Sequence, residues 1–295
     1  MARHSDLGAF LRAQRARLRP GDVGLAPDTV ARRVPGLRRE EVARLAGVST
    51  DYYTRLEQGR KVSASQSVLN AVARALCLDE TGREHLFDLA RPPAAPAERE
   101  TIRAQRARWS TVQLIESWTD QPAMILGRRR DILGINALAR ALIFDFTTLP
   151  VAERNYIRWI LLDPTARELY RDWETVASEM VGILRMDAGR FPDDRGISGL
   201  VGELAVKSRE FLGWWADQRV VAHTHGLKRF RHQLVGDLEL QWQGLILPGD
   251  EDQRILVYFA VPGSPAAEKL SLLASWNAPE QGSREPGAVR ETRGE

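Results

Sequence analysis

The 295-residue chain holds a single cysteine, Cys77, so no internal disulfide can form and no thiolate-rich metal site can be assembled. Cys77 falls in the apolar phase of a helical run with Val72, Ala73 and Leu76, and reads as a small core residue rather than a nucleophile. Long apolar runs are missing as well. Nothing approaches the ~18–20 uninterrupted apolar residues of a membrane span, and Met1-Ala2-Arg3-His4-Ser5-Asp6 lacks the apolar core of a signal peptide. Both absences predict a cytoplasmic protein that does not engage a membrane. Catalytic signatures are also lacking: there is no phosphate-binding glycine loop, no Gly-x-Ser-x-Gly elbow and no His-Glu-x-x-His. No catalytic residue and no cofactor is therefore assigned, and the chain is expected not to be an enzyme. His223, His225 and His232 lie close together, but no cysteine or spaced carboxylate pair completes a ligand set, so no metal is expected.

What is present is an uneven charge. The net charge is only +3, yet residues 1–61 carry 13 Lys and Arg against 7 Asp and Glu, while residues 92–295 carry 26 against 28. A basic excess confined to one part of the chain points to an anionic partner for that part alone, nucleic acid being the commonest; a merely solvated arginine-rich face is the other reading. The length favours two domains.

From Leu7 to Ala90 apolar residues recur at helical spacing in short runs, which predicts an all-α bundle of about five helices over residues 1–91. The first helix spans 6–19 and stops before Pro20-Gly21. Arg91-Pro92-Pro93-Ala94-Ala95-Pro96 cannot continue a helix, and 92–100 reads as a linker. Residues 101–277 form the second domain, and the polar tail 278–295 reads as disordered. In that domain a helix over 109–118 precedes short strands at 123–126 and 131–135, and Asn136 caps a helix over 137–143. Helices follow over 150–162 and from Pro164, the latter carrying one continuous stripe of Leu169, Trp173, Val176, Met180, Ile183 and Leu184. Further helices fit 197–207 and 208–217. Strands at 226–235, 238–247 and 254–261 and a helix over 266–276 complete an α+β domain with an antiparallel sheet covered by helices on one face.

The sharpest local signal is the run from Arg38 to Gly59. A first helix buries Val42, Ala43, Leu45 and Ala46, Gly47 supplies the positive φ of a tight turn, Val48 plugs the gap, and Ser49 caps a second helix. Tyr53 and Leu56 face inward on that second helix, leaving Thr50, Asp51, Tyr52, Thr54 and Arg55 outward. Ala46, Gly47-Val48-Ser49, Leu56-Glu57 and Gly59 resemble the repressor-like helix-turn-helix of the XRE family, with Tyr53 departing from the usual aliphatic core residue. The resemblance implies a double-stranded DNA operator as partner. Ser49 and Thr54 lie at the interface, Thr50, Asp51, Tyr52 and Arg55 face bases, and Arg38 or Arg39, Arg60 and Lys61 touch phosphates. Adaptor versions of the fold that bind only protein are the competing reading.

Further phrases, among them Pro35-Gly36-Leu37-Arg38-Arg39-Glu40, Glu153-Arg154-Asn155, Asp163-Pro164-Thr165-Ala166-Arg167-Glu168-Leu169-Tyr170 and Lys228-Arg229-Phe230-Arg231-His232, resemble the MmyB-like regulators. That resemblance implies a PAS-like C-terminal domain binding a small, lipophilic, fatty-acid-like molecule. Arg154, Arg158, Trp159, Tyr170, Trp173, Trp242 and Tyr258 are the candidate ligand-binding residues, because an arginine beside aromatics suits a carboxylate head on an apolar tail. Aromatics at helical spacing are more often core than pocket, and Arg154 could simply pair with Asp163 or Glu168. A homodimer on paired half-sites is expected. A ligand-free dimerisation or protein-docking role for the C-terminal domain is the alternative.

Overall fold

A computed structural model describes residues 2–26, 36–59, 64–90, 105–221 and 223–277. The linker 92–100, the tail 278–295, and Arg60 and Lys61 lie outside the described residues. Among the described residues five α-helices make the N-terminal body: α1 (Ala2–Arg17), α2 (Arg39–Leu45), α3 (Thr50–Glu57), α4 (Gln66–Ala75) and α5 (Glu80–Ala90). Their apolar faces, including Leu7, Phe10, Leu11, Val42, Tyr53, Leu56, Val72 and Leu86, close with Leu37 of the segment before α2 into one core. Serine caps set two of the starts: Ser49 Oγ accepts the Tyr52 N–H at 3.1 Å and Ser65 Oγ accepts that of Val68 at 3.3 Å.

Two expectations fail here. Cys77 is exposed: α4 ends before it, and Cys77 takes the left-handed position (φ 49°) just past the helix, so its side chain leaves the apolar face. Leu45, expected in the core, is 37% exposed, because Val42, Ala43 and Ala46 take the inward side of that turn and leave Leu45 on its outer flank.

The second body opens with α6 (Trp109–Glu116), β1 (Ala123–Leu126), β2 (Ile132–Ile135) and α7 (Ala137–Leu142). Asn136 caps α7 through Ala139 N–H at 2.9 Å, and its amide also donates to the carbonyls of Ile115, Trp118 and Gln121. One buried side chain therefore fixes α6, the hairpin and α7 together. Then come α8 (Tyr156–Leu162), α9 (Pro164–Leu169), α10 (Trp173–Arg190), α11 (Arg195–Lys207) and α12 (Arg209–Ala216), and finally β3 (His225–His232), β4 (Gly236–Leu247), β5 (Asp250–Phe259) and α13 (Pro265–Trp276). The five strands form one antiparallel sheet in the order β2-β1-β5-β4-β3.

The continuous helix expected from Pro164 is broken into α9 and α10. At the break Tyr170 leaves helical geometry, bridges Phe230 of β3, and the Arg171 N–H donates to the Arg229 carbonyl at 2.9 Å. Pairing with the sheet edge outweighs the helical periodicity. Nor are helices confined to one face. Alternate residues of β1 and β5, Ala123, Ile125 and Ile255, pack under α6, while Met124, Leu126, Leu256 and Tyr258 face the main helical layer. Cover on both faces explains why β1 reads as an unbroken apolar run.

The two bodies touch through α1 and α5 on one side and α10 and the segment after α12 on the other. Gly189 of α10 lets α5 come close: a Cβ there would lie 2.6 Å from His85 Cε1. Val220 packs against the N-terminal core, and Arg17 pairs with Asp217 at 3.9 Å. Arg185 of α10 lies over the Trp215 ring at 3.9 Å and donates to Gln218 at 2.8 Å. Burial lowers its pKa to about 10, partly opposed by the Asp6 carboxylate of α1.

Candidate nucleic-acid interface and ligand-binding core

The α2-turn-α3 unit is set by Gly47, whose φ of 67° is reached without strain only by glycine, and by the cap of Ser49. Across the exposed side of α3 lie Thr50, Asp51 and Arg55, with Tyr52 and Thr54 half-buried beside them; Tyr53 and Leu56 are in the core. Asp51 and Arg55, one turn apart, pair at 2.9 Å with both side chains more than half exposed. Such a pair contributes roughly 0.3–0.5 kcal/mol. The guanidinium is thus held over the helix face yet is free to exchange its partner at small cost.

Sequence reasoning missed what holds this unit against the bundle. Glu57, in the Leu-Glu-x-Gly segment, is fully buried and receives two arginines: Arg15 of α1 donates to both carboxylate oxygens at 2.9 and 3.1 Å, and Arg39 of α2 to Oε1 at 3.2 Å. Arg15 also donates to the Leu37 carbonyl and Arg12 to that of Glu57. Arg39, a candidate phosphate contact, is therefore committed first to Glu57, with its side chain still 45% exposed. Arg38 lies beside Glu40 at 3.5 Å and, as the residue before α2, donates its N–H to Glu41 at 2.6 Å.

In the second body the candidate aromatics gather and the candidate arginines do not join them. Trp159 stacks on Tyr156 with ring centres 6.0 Å apart, Tyr170 packs on Phe230, and Phe230 on Tyr258. At the centre three buried phenols meet: the Tyr156 hydroxyl is 2.5 Å from that of Tyr170 and 3.0 Å from that of Tyr258. Burial raises the pKa of all three, so they remain neutral hydroxyls. Trp173 donates its indole N–H to the Ile160 carbonyl at 2.7 Å, and Trp242 lies under the Lys228 ammonium at 5.7 Å. Arg154, by contrast, donates to the carbonyls of Leu149 and Thr147 rather than pairing with Asp163 or Glu168; Arg158 pairs with Glu203 at 2.7 Å. Both sit where backbone and carboxylate acceptors already engage them, apart from the aromatic cluster. Tyr156, at the i−3 position to Trp159, is the residue that reading overlooked. Of the three histidines, His232 has its Nε2 3.0 Å from the Ala141 carbonyl, a structural contact.

A helix-turn-helix body joined to a mixed α+β body of this kind defines a DNA-binding transcription regulator with a ligand-binding domain. The comparisons agree: residues 6–86 match the model of a helix-turn-helix domain, and residues 107–273 that of the MmyB-like transcription regulator ligand binding domain. The second match spans more than half of the chain, and the chain belongs to that family. A search of the curated proteins returns no match. No helix among the described residues is long and apolar enough to cross a membrane.

Proposed function

We propose that residues 1–91 read an operator through α3 while residues 101–277 bind a lipophilic molecule with an acidic or hydroxyl head, and that the chain acts as a homodimer. The observation that carries the ligand reading is the knot of hydroxyls on Tyr156, Tyr170 and Tyr258 inside an aromatic core. Their two mutual hydrogen bonds use two of the three O–H donors, which leaves one donor and several acceptor lone pairs for a polar head. They are surrounded by Trp159, Phe146 and Phe230, so a polar head would be held there with its apolar tail against rings and aliphatic side chains.

The test is solvent extraction of the purified full chain followed by mass spectrometry. A single class of lipophilic molecule is expected, and Tyr156→Phe should recover on the order of tenfold less of it, one charge-assisted hydrogen bond being worth about 1.5 kcal/mol or more. Recovery of nothing from either protein would favour the second reading, a ligand-free dimerisation or docking domain. A specific feature supports that alternative: Leu227, Leu245 and Phe259 are exposed on the part of the sheet outside α6, with Leu227 and Phe259 flanking Gln241 in register.

On the DNA side, Arg55→Ala should weaken binding to the selected operator by ~1–3 kcal/mol while barely changing binding to random duplex. Equal losses on both duplexes in an anisotropy titration would make Arg55 a backbone contact instead of a base reader.

A further inference from the structure

The hairpin turn between β1 and β2 contains three consecutive arginines, Arg128, Arg129 and Arg130, which the DNA and ligand readings leave unused. Arg128 and Arg129 are tied to acids of their own body, Asp252 and Asp194. Arg130 differs. It holds a left-handed backbone (φ 64°), is 6% exposed, reaches Asp187 of α10 at 3.0 Å, and keeps a buried Nε with no hydrogen-bond partner.

Arg130 lines a cleft of about 530 Å³ between the two bodies, within the size range of small-molecule sites. Its C-terminal wall brings Arg130, Arg190 and Arg254 around the single carboxylate of Asp187, with His223 at the rim. Neither Arg190 nor Arg254 makes an ion pair or side-chain hydrogen bond among the described residues; Arg190 only lies over the Phe191 ring at 5.5 Å. Burial first, and then the neighbouring Arg130 and Arg190 charges, press the Arg254 pKa down, with the Asp187 carboxylate opposing them. On the facing wall Arg83 of α5 is held by Asn70 at 3.0 Å and Glu80 at 2.8 Å and lies over Phe87. The cleft as a whole carries four arginines against Asp187, Glu84 and Asp88, but the two further acids stand with Arg83 on the facing wall, so the C-terminal wall alone sets three guanidiniums against one carboxylate, and guanidinium forks match planar or tetrahedral oxyanions.

We propose that this cleft binds a small polyanion, a compound bearing phosphate groups or several carboxylates, between the Arg130–Arg190–Arg254 wall and Arg83, so that the ligand bridges the DNA-reading and ligand-binding bodies. The site is separate from the tyrosine knot and does not depend on it.

Calorimetric titration of the full chain with pyrophosphate and, separately, with citrate tests this, against sodium chloride of matched ionic strength. Saturable one-to-one binding of either supports the site, and which of the two binds identifies phosphate or carboxylate as the preferred oxyanion. Arg190→Gln, at an exposed position that leaves the fold intact, should weaken binding at least tenfold, and Arg254→Gln likewise. Arg83→Gln should also weaken it, whereas full affinity in that variant would overturn the bridging arrangement. Heats no different from the salt control for both anions, or unchanged affinity in the Arg190→Gln variant, would overturn the site itself.

Discussion

Glu57→Ala is expected to destabilise the N-terminal body by roughly 3–5 kcal/mol, enough to melt it well before the C-terminal body in a thermal scan followed by circular dichroism. The reason is asymmetry. The carboxylate has been taken wholly out of water, and its removal leaves two guanidiniums, Arg15 and Arg39, facing each other around a vacated buried site. Arg15 is the more costly of the two to orphan, because it is largely buried and also braces the Leu37 carbonyl at the entrance to α2. Arg39 can swing to solvent. Hence Arg39→Ala should cost far less stability than Glu57→Ala, and any loss of DNA affinity it causes reports on phosphate contact rather than unfolding. A Glu57→Ala protein with an unchanged melting transition would show that the three-helix tie is not holding the motif together.

Acidification should weaken the seam between the bodies. His85 of α5 is buried beside Phe10 and Gly189, its Nδ1 has no hydrogen-bond partner, and burial, reinforced by the Arg185 charge, lowers its pKa from 6.5 to about 3. The folded protein therefore keeps this ring neutral where the unfolded chain would protonate it. Stability contributed this way is whole above about pH 6.5 and is lost as the pH falls toward 3, at up to about 1.4 kcal/mol per pH unit. Between pH 7 and pH 4 the loss approaches 3 kcal/mol. Asp6 and Asp187 act with the opposite sign, since burial raises their pKa values and their protonation on acidification favours the folded state. Denaturant midpoints at pH 7 and pH 4 for the parent and His85→Gln proteins check the assignment: the variant should show the flatter dependence. Parallel falls in both would place the acid sensitivity elsewhere.

Local chemistry in the sequence carried much of this architecture. Ser49 and Asn136 announced helix starts and Gly47 a left-handed turn, and each stands where its chemistry requires. What periodicity could not show was competition from distant segments. Leu169 and Trp173 continue one helical stripe on paper, but Tyr170 between them is drawn to β3 by a bridge to Phe230, a residue sixty positions away. Cys77 looked apolar by phase because the phase was carried past the point where the helix stops. The candidate site divided in the same way. Exposed positions on α3 follow from the helical wheel and were legible, whereas the partners of Arg39, Arg154 and Arg158 depended on which carboxylates and carbonyls the fold delivered to them. The tyrosine knot joins α8, the α9–α10 break and β5, so no single stretch of sequence could display it.

The account's central claim is that α3 reads a specific duplex. Repeated selection from a random pool of duplex DNA with the full-length chain, followed by fluorescence anisotropy at two salt concentrations, tests it most directly. Enrichment of a site with two related halves spaced by about 10–10.5 base pairs is predicted, bound far more tightly than scrambled DNA and with a preference that survives added salt. No enrichment, with equal and weak binding to every duplex both before and after solvent extraction of the protein, would contradict it.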